Sequence, residues 1–153
     1  MTALRPPGPP AGGIDPRGPR VGAGINAVLL VVVLLLGGGA PATAVLAVVA
    51  AGFALGAVRG VPGTWQAWVF GRVVRPRLAP PTDLEDPRPP RFAQVVGLVI
   101  TGLGVVLGLL GLAWAVPAAA AVALAAAFLN AAFGLCLGCE MYLLGLRLRT
   151  RSA

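Results

Sequence analysis

At 153 residues, 58% of them hydrophobic and 11% charged, the chain has a mean hydropathy of +0.88, which excludes a water-soluble domain and points to an integral membrane protein. The formal net charge of +7 comes from twelve arginines against five acids, but no basic run is interleaved with aromatics on a polar domain, so nucleic acid is excluded as a partner. Histidine is absent, which excludes serine–histidine and cysteine–histidine catalysis within the chain and removes the commonest metal ligand.

Residues 1–20, "MTALRPPGPPAGGIDPRGPR", are rich in proline, glycine and arginine and predict a disordered tail. Four apolar segments follow, at about 21–37, 40–58, 92–114 and 117–146. A bilayer core of roughly 30 Å needs about 20 helical residues, with tolerance down to about 17. The first segment is followed by "APATA", which resembles a signal-peptide cleavage site, but the polar leader is too long for that and the first helix is expected to be retained. The connections "GGGAP" and "AWAVP" are short and uncharged, so the segments form two helical hairpins within one membrane domain, 21–146. Every arginine lies in the first 20 residues, in the loop 59–91 or in the basic tail 147–153, which places both termini and that loop in the cytoplasm. Trp114 suits the outer interface, and Trp65, Trp68 and Tyr142 the inner one.

Two matches suggest an internal repeat. "DPRGPR" at 15–20 recurs as "DPRPPR" at 86–91, and "GFALGA" at 52–57 recurs, in the same order, as "GLCLGC" at 134–139. A hairpin duplicated in parallel orientation is expected, with a pseudo-two-fold axis along the membrane normal. The small-xxx-small pairs Gly52/Gly56, Gly104/Gly108 and Gly134/Gly138 predict close helix contacts, and so a tight bundle with little internal cavity. In the loop, "TWQAWVFGRVVRPRL" puts Trp65, Trp68, Val69 and Val73 at helical spacing and predicts a short cytoplasmic interfacial helix, followed by an extended strap, "APPTDLEDPRPPR".

The fourth segment carries the chemistry. Cys136 and Cys139 are the only cysteines, spaced as CxxC beside Glu140. With a rise of ~1.5 Å per residue from Pro117 they lie roughly 29 and 33 Å along the helix, at the inner edge of the hydrocarbon. Asn26, Gln94 and Glu140 fall at a similar level, and intramembrane polar groups face a bundle or water, so they are expected to share an inner-leaflet pocket with the cysteines. Asn130 lies about 10 Å deeper. The pair is expected near the C-terminal end of this helix, where the dipole opposes a thiolate, and an unbent helix does not hold sulfurs three residues apart in good disulfide geometry. A cycling dithiol, a persulfide carrier and a metal clip are open; two thiolates and Glu140 make a weak donor set, so no metal and no cofactor is expected. The bland alternative is that both cysteines pack as small apolar side chains.

At "FLNAAFGLCLGCEMY" the chain resembles the bacterial four-helix membrane-protein family designated domain of unknown function 4395, over roughly residues 15–147. The shared features are the late-helix cysteine pair in "LCLGC", the asparagine early in the first helix and the polar residue opening the third. The resemblance implies the plasma membrane of a bacterial cell and the company of thioredoxin-like or sulfurtransferase proteins. The favoured function is thiol–disulfide or sulfur-species exchange at the cytoplasmic face, with Cys139 attacking and Cys136 resolving, and the amides positioning a substrate. The alternatives are an accessory subunit that docks on a membrane-protein partner or a second copy, and a permease for a small sulfur compound.

Overall fold

The computed structural model describes residues 12–151, which are helical apart from turns and one isolated β-bridge. Most of the predicted disordered tail, residues 1–11, lies outside the described residues, as do the last two residues of the basic tail. Four helices are long and apolar enough to cross a membrane: α1 (Arg17–Leu36), α2 (Ala40–Arg59), α4 (Arg88–Leu109) and α5 (Ala115–Phe133). At 1.5 Å per residue a 20-residue helix spans about 30 Å. Between them lies α3 (Trp65–Val69), continued by a π turn, Phe70–Val74, and a 3-10 turn, Arg75–Arg77. After α5 comes α6 (Leu137–Arg151).

The helices start earlier than hydrophobicity alone suggests. α1 begins at Arg17, not at 21, because the Asp15 carboxylate accepts the Arg17 backbone N–H at 3.0 Å and holds its guanidinium at 2.9 Å. α4 begins at Arg88, not at 92, by the same device: Asp86 accepts the Arg88 N–H at 2.9 Å, and the next two residues are prolines, which lack the N–H groups that a first turn leaves unpaired. Ile14 is tied to the strap through an antiparallel bridge to Glu85, with backbone bonds of 3.0 and 2.9 Å.

The largest difference from expectation is in the fourth segment. The helix expected over 117–146 is two helices. Gly134 takes a left-handed conformation (φ 70°), its N–H bonding to Asn130 O at 2.9 Å while Leu135 N–H reaches back to Leu129 O at 3.2 Å. This is the glycine-terminated helix end in which two otherwise orphaned carbonyls are satisfied.

In the bundle α1 packs most extensively on α5 and α2 on α4, with smaller α1–α2 and α4–α5 seams. Leu30, Val33, Leu46, Val49, Val116 and Ala120 are fully buried and fill the end of the bundle bearing the two hairpin turns. There Gly104 and Gly108 bring α4 onto α5: a Cβ at either would stand 2.4 Å from Ala119 or Val116. The outward faces expose Val28, Leu35, Val48, Leu103 and Phe128, as a lipid-facing surface requires.

The short loop helix turns its Trp68/Val73 face away from the bundle. Gln66 and Phe70, one turn apart, are the buried face, and Trp68 is exposed with Arg72 stacked 5.9 Å from its ring. Thr64 caps this helix, accepting the Ala67 N–H at 3.1 Å. The helix closes the end of the bundle opposite the hairpin turns, where core side chains give way to a hollow.

Candidate functional site

At that end the chain places a disulfide between Cys136 and Cys139. Its position follows from the break at Gly134: Cys136 falls in the three-residue interruption and Cys139 in the first turn of α6. Cys136 thus occupies the cap position of α6. Its Sγ accepts the Cys139 N–H at 3.4 Å, and its carbonyl accepts the Glu140 N–H at 3.0 Å. This reverses the expectation that the pair sits at a helix C-terminus. The positive end of α6 faces the sulfurs and favours negative charge on them. Gly138, between the cysteines, seats α6 on α4, since a Cβ there would stand 2.6 Å from the Ala93 Cα. One turn on, the rings of Phe92 and Tyr142 meet at 5.7 Å.

Two cavities adjoin the disulfide, so the expectation of little internal space fails. The larger, about 450 Å³, lies among α1 to α5 and the start of α6, and is lined by Asn26, Gln66, Gln94, Asn130 and Cys136 with apolar walls from Phe53, Ile100 and the alanines of α5. The smaller, about 80 Å³, is lined by Arg20, Glu85, Asn130 and both cysteines. Cys136 and Asn130 line both cavities, whereas Cys139 lines only the smaller, charged one.

Of the residues expected to share one pocket, Asn26, Gln94 and Cys136 line the larger cavity, whereas Cys139 faces only the smaller one. Asn130 joins them, because the helix break folds the cysteines back beside the last turn of α5. Glu140 does not: it is exposed and lines neither cavity. Among the described residues no group of three His, Cys, Asp or Glu is placed to hold a metal ion.

Two residues were not singled out. Gln66 is buried and donates through Nε2 to Asn26 Oδ1 at 2.9 Å, leaving its own Oε1 without a partner among the described residues. The signal available was a lone amide between two tryptophans, one turn before Phe70. Arg20 reaches the end of α5, its Nη2 lying 3.5 Å from Ala131 O and its guanidinium beside Gly134. Arg91 makes the corresponding contact with α2, donating to Ala57 O at 2.8 Å and Val58 O at 3.0 Å.

The glycines of "GFALGA" serve these amides. A Cβ at Gly52 would stand 2.7 Å from Gln66 Nε2, and one at Gly56 would stand 2.5 Å from Gln94 Oε1. Their absent side chains leave room for two polar side chains to lie flat on α2.

Residues 14–147 match the family described as Domain of unknown function (DUF4395), and the chain belongs to that family. No curated protein and no solved structure matches it.

Proposed function

We propose that this membrane protein is a dithiol–disulfide carrier that exchanges electrons with water-soluble thiol proteins through Cys139, with Cys136 as the internal, resolving sulfur. The observation that carries the reading is the disulfide's placement at the start of α6, with Cys139 on the charged cavity only. In the exchange a partner thiolate attacks Cys139 Sγ and the bond to Cys136 breaks. The electron pair leaves on Cys136, where the Cys139 N–H and the helix N-terminus accommodate it. The partner's second thiol then attacks the mixed disulfide, closes the partner's own disulfide and frees Cys139. The net transfer is two electrons and two protons.

The proposed side is the cytoplasm, on the strength of the arginines, which cluster in the segments at this end of the bundle. The cytosol keeps thiols reduced, so a disulfide there belongs to a working cycle and not to a scaffold. A thioredoxin-like or sulfurtransferase protein is the proposed partner. We also read the two hairpins as duplicated copies: Asp15 and Asp86 receive equivalent backbone N–H groups, and Arg20 and Arg91 each reach carbonyls at the end of the other hairpin's second helix.

The test is trapping. Cys136→Ser is expected to accumulate a mixed disulfide with a soluble partner on Cys139, and Cys139→Ser is not. An unaltered partner profile in the double Cys→Ala variant would remove the reading. One observation favours an accessory subunit instead, the exposure of Met141, Leu144 and Leu146 on α6. A stoichiometric partner that co-purifies regardless of cysteine replacement would decide for it.

A further inference from the structure

The larger cavity has chemistry of its own that the exchange with water-soluble thiols leaves unused. Among the described residues no charged one lines it, so a charged sulfur compound such as thiosulfate or glutathione would lose its hydration there without gaining a counter-charge. Its volume, about 450 Å³, is in the range of small-molecule sites, roughly 300–1,000 Å³. The exposed side chains along its lining, Val122, Ala125, Leu137 and Met141, are apolar, so its rim meets lipid and not water.

Inside, hydrogen-bonding capacity is in surplus. Asn26 and Gln66 share a single bond, and Gln66 Oε1 has no partner among the described residues. The side chains of Gln94 and Asn130 make no hydrogen bond among the described residues. A fitting occupant is neutral and lipophilic, accepts hydrogen bonds from amides, and in at least one of its forms donates one. Among the described residues the one nucleophilic group on the wall is Cys136.

We propose that this cavity binds a quinone of the bilayer, in its quinone and hydroquinone forms, and that the Cys136–Cys139 pair exchanges two electrons with it. The electron exchange rests on the dithiol reading above, whereas the binding does not. Amide N–H groups of Asn26, Gln94 and Asn130 donate to the ring carbonyls, and Gln66 Oε1 accepts from the hydroxyl present only in the hydroquinone. In the redox step the reduced pair loses two S–H bonds and gains one S–S bond, while the quinone gains two O–H bonds and becomes the hydroquinone. Two electrons and two protons pass, and no further oxidant is required. Cys136 then stands between two partners, a soluble thiol protein on one side and a lipophilic acceptor on the other.

The probe is duroquinone, added to the full-length protein in quinone-free lipid nanodiscs. Trp68 and Trp114 are replaced by phenylalanine, leaving Trp65, the neighbour of Gln66, as the sole tryptophan. The expected result is saturable quenching of Trp65, weakened at least tenfold by Ala126→Phe, which fills the cavity. Gln66→Met is expected to weaken binding of the hydroquinone more than that of the quinone. One equivalent of duroquinone is expected to oxidise the reduced wild-type protein, seen as a two-hydrogen mass loss. The cavity assignment is overturned by non-saturable quenching, by quenching insensitive to both variants, or by equal binding of anionic anthraquinone-2-sulfonate. Saturable binding without oxidation of a dithiol that still exchanges with soluble thiols overturns the electron exchange. Intact binding and oxidation without any soluble-thiol exchange sinks the earlier reading instead.

Discussion

The hexapeptides GFALGA (52–57) and GLCLGC (134–139) share a pattern of small residues but not a shape. The first continues α2 without interruption to Arg59; the second ends α5 at Phe133 and restarts as α6 at Leu137. Gly52 and Gly56 are buried, each with a glutamine side chain lying where a Cβ would be, so the helix there is backed by packing on one face. Gly134 is exposed, and nothing holds it helical. The same residue type is a docking face where neighbours press on it and a hinge where they do not. Only the broken hexapeptide carries thiols. Its break supplies what a continuous helix lacks, a helix N-terminus beside sulfur, while the first hexapeptide has Ala54 and Ala57 at the matching places.

Experiments that erase or transplant this difference have graded consequences. Replacing Cys136 or Cys139 by serine is expected to abolish two-electron exchange altogether, read as loss of the two-hydrogen mass difference between oxidised and reduced protein. Moving the pair into the unbroken hexapeptide, as Ala54→Cys/Ala57→Cys in a Cys136→Ala/Cys139→Ala background, is expected to give a dithiol that stays reduced under conditions that close the native pair. Rapid closure would show that the break is not needed.

Gly52→Ala presses on Gln66 and breaks its bond to Asn26, with an expected cost on the order of 1–3 kcal/mol in unfolding measurements. Gly134→Ala meets no steric obstacle, its nearest neighbour atom being the Arg20 Cζ at 3.6 Å, so its cost is that of the left-handed backbone, about 1–2 kcal/mol. It is expected to loosen the cysteine geometry, seen as a shifted disulfide potential.

The smallest effect is expected outside the membrane. The hydrogen bond from Arg17, with the backbone N–H and charge of the same residue, holds the Asp15 carboxyl below its ordinary range. Its contribution is complete above the unfolded value and is lost as pH falls through the folded one, below about pH 4. Asp15→Asn is expected to flatten that acid limb of the stability profile.

Much of the architecture was legible in the sequence, because long apolar runs without charge allow few structures other than spanning helices. The convergence of Asn26, Gln94 and Cys136 was legible too, since polar groups at one depth in a small bundle have few places to go. What escaped was decided by local chemistry beneath the hydropathy. Gly134 looked like one more small residue in a long apolar run, and its role as a helix end depends on backbone bonds from Gly134 and Leu135 that no periodicity reports. Gln66 was hidden by its tryptophan neighbours, which suit the membrane interface and say nothing of the opposite face. That face, Gln66 and Phe70, is buried, and Asn26 of α1 offers the amide a partner.

The most direct test is labelling of the reduced protein with a membrane-impermeant maleimide, applied from each side of sealed vesicles and read by mass spectrometry before and after oxidation. Modification of Cys139 ahead of Cys136, only from the cytoplasmic side and blocked by oxidation, is the predicted result. Labelling only from the opposite side, or none at either cysteine after full reduction, would contradict a dithiol poised to exchange with the cytoplasm.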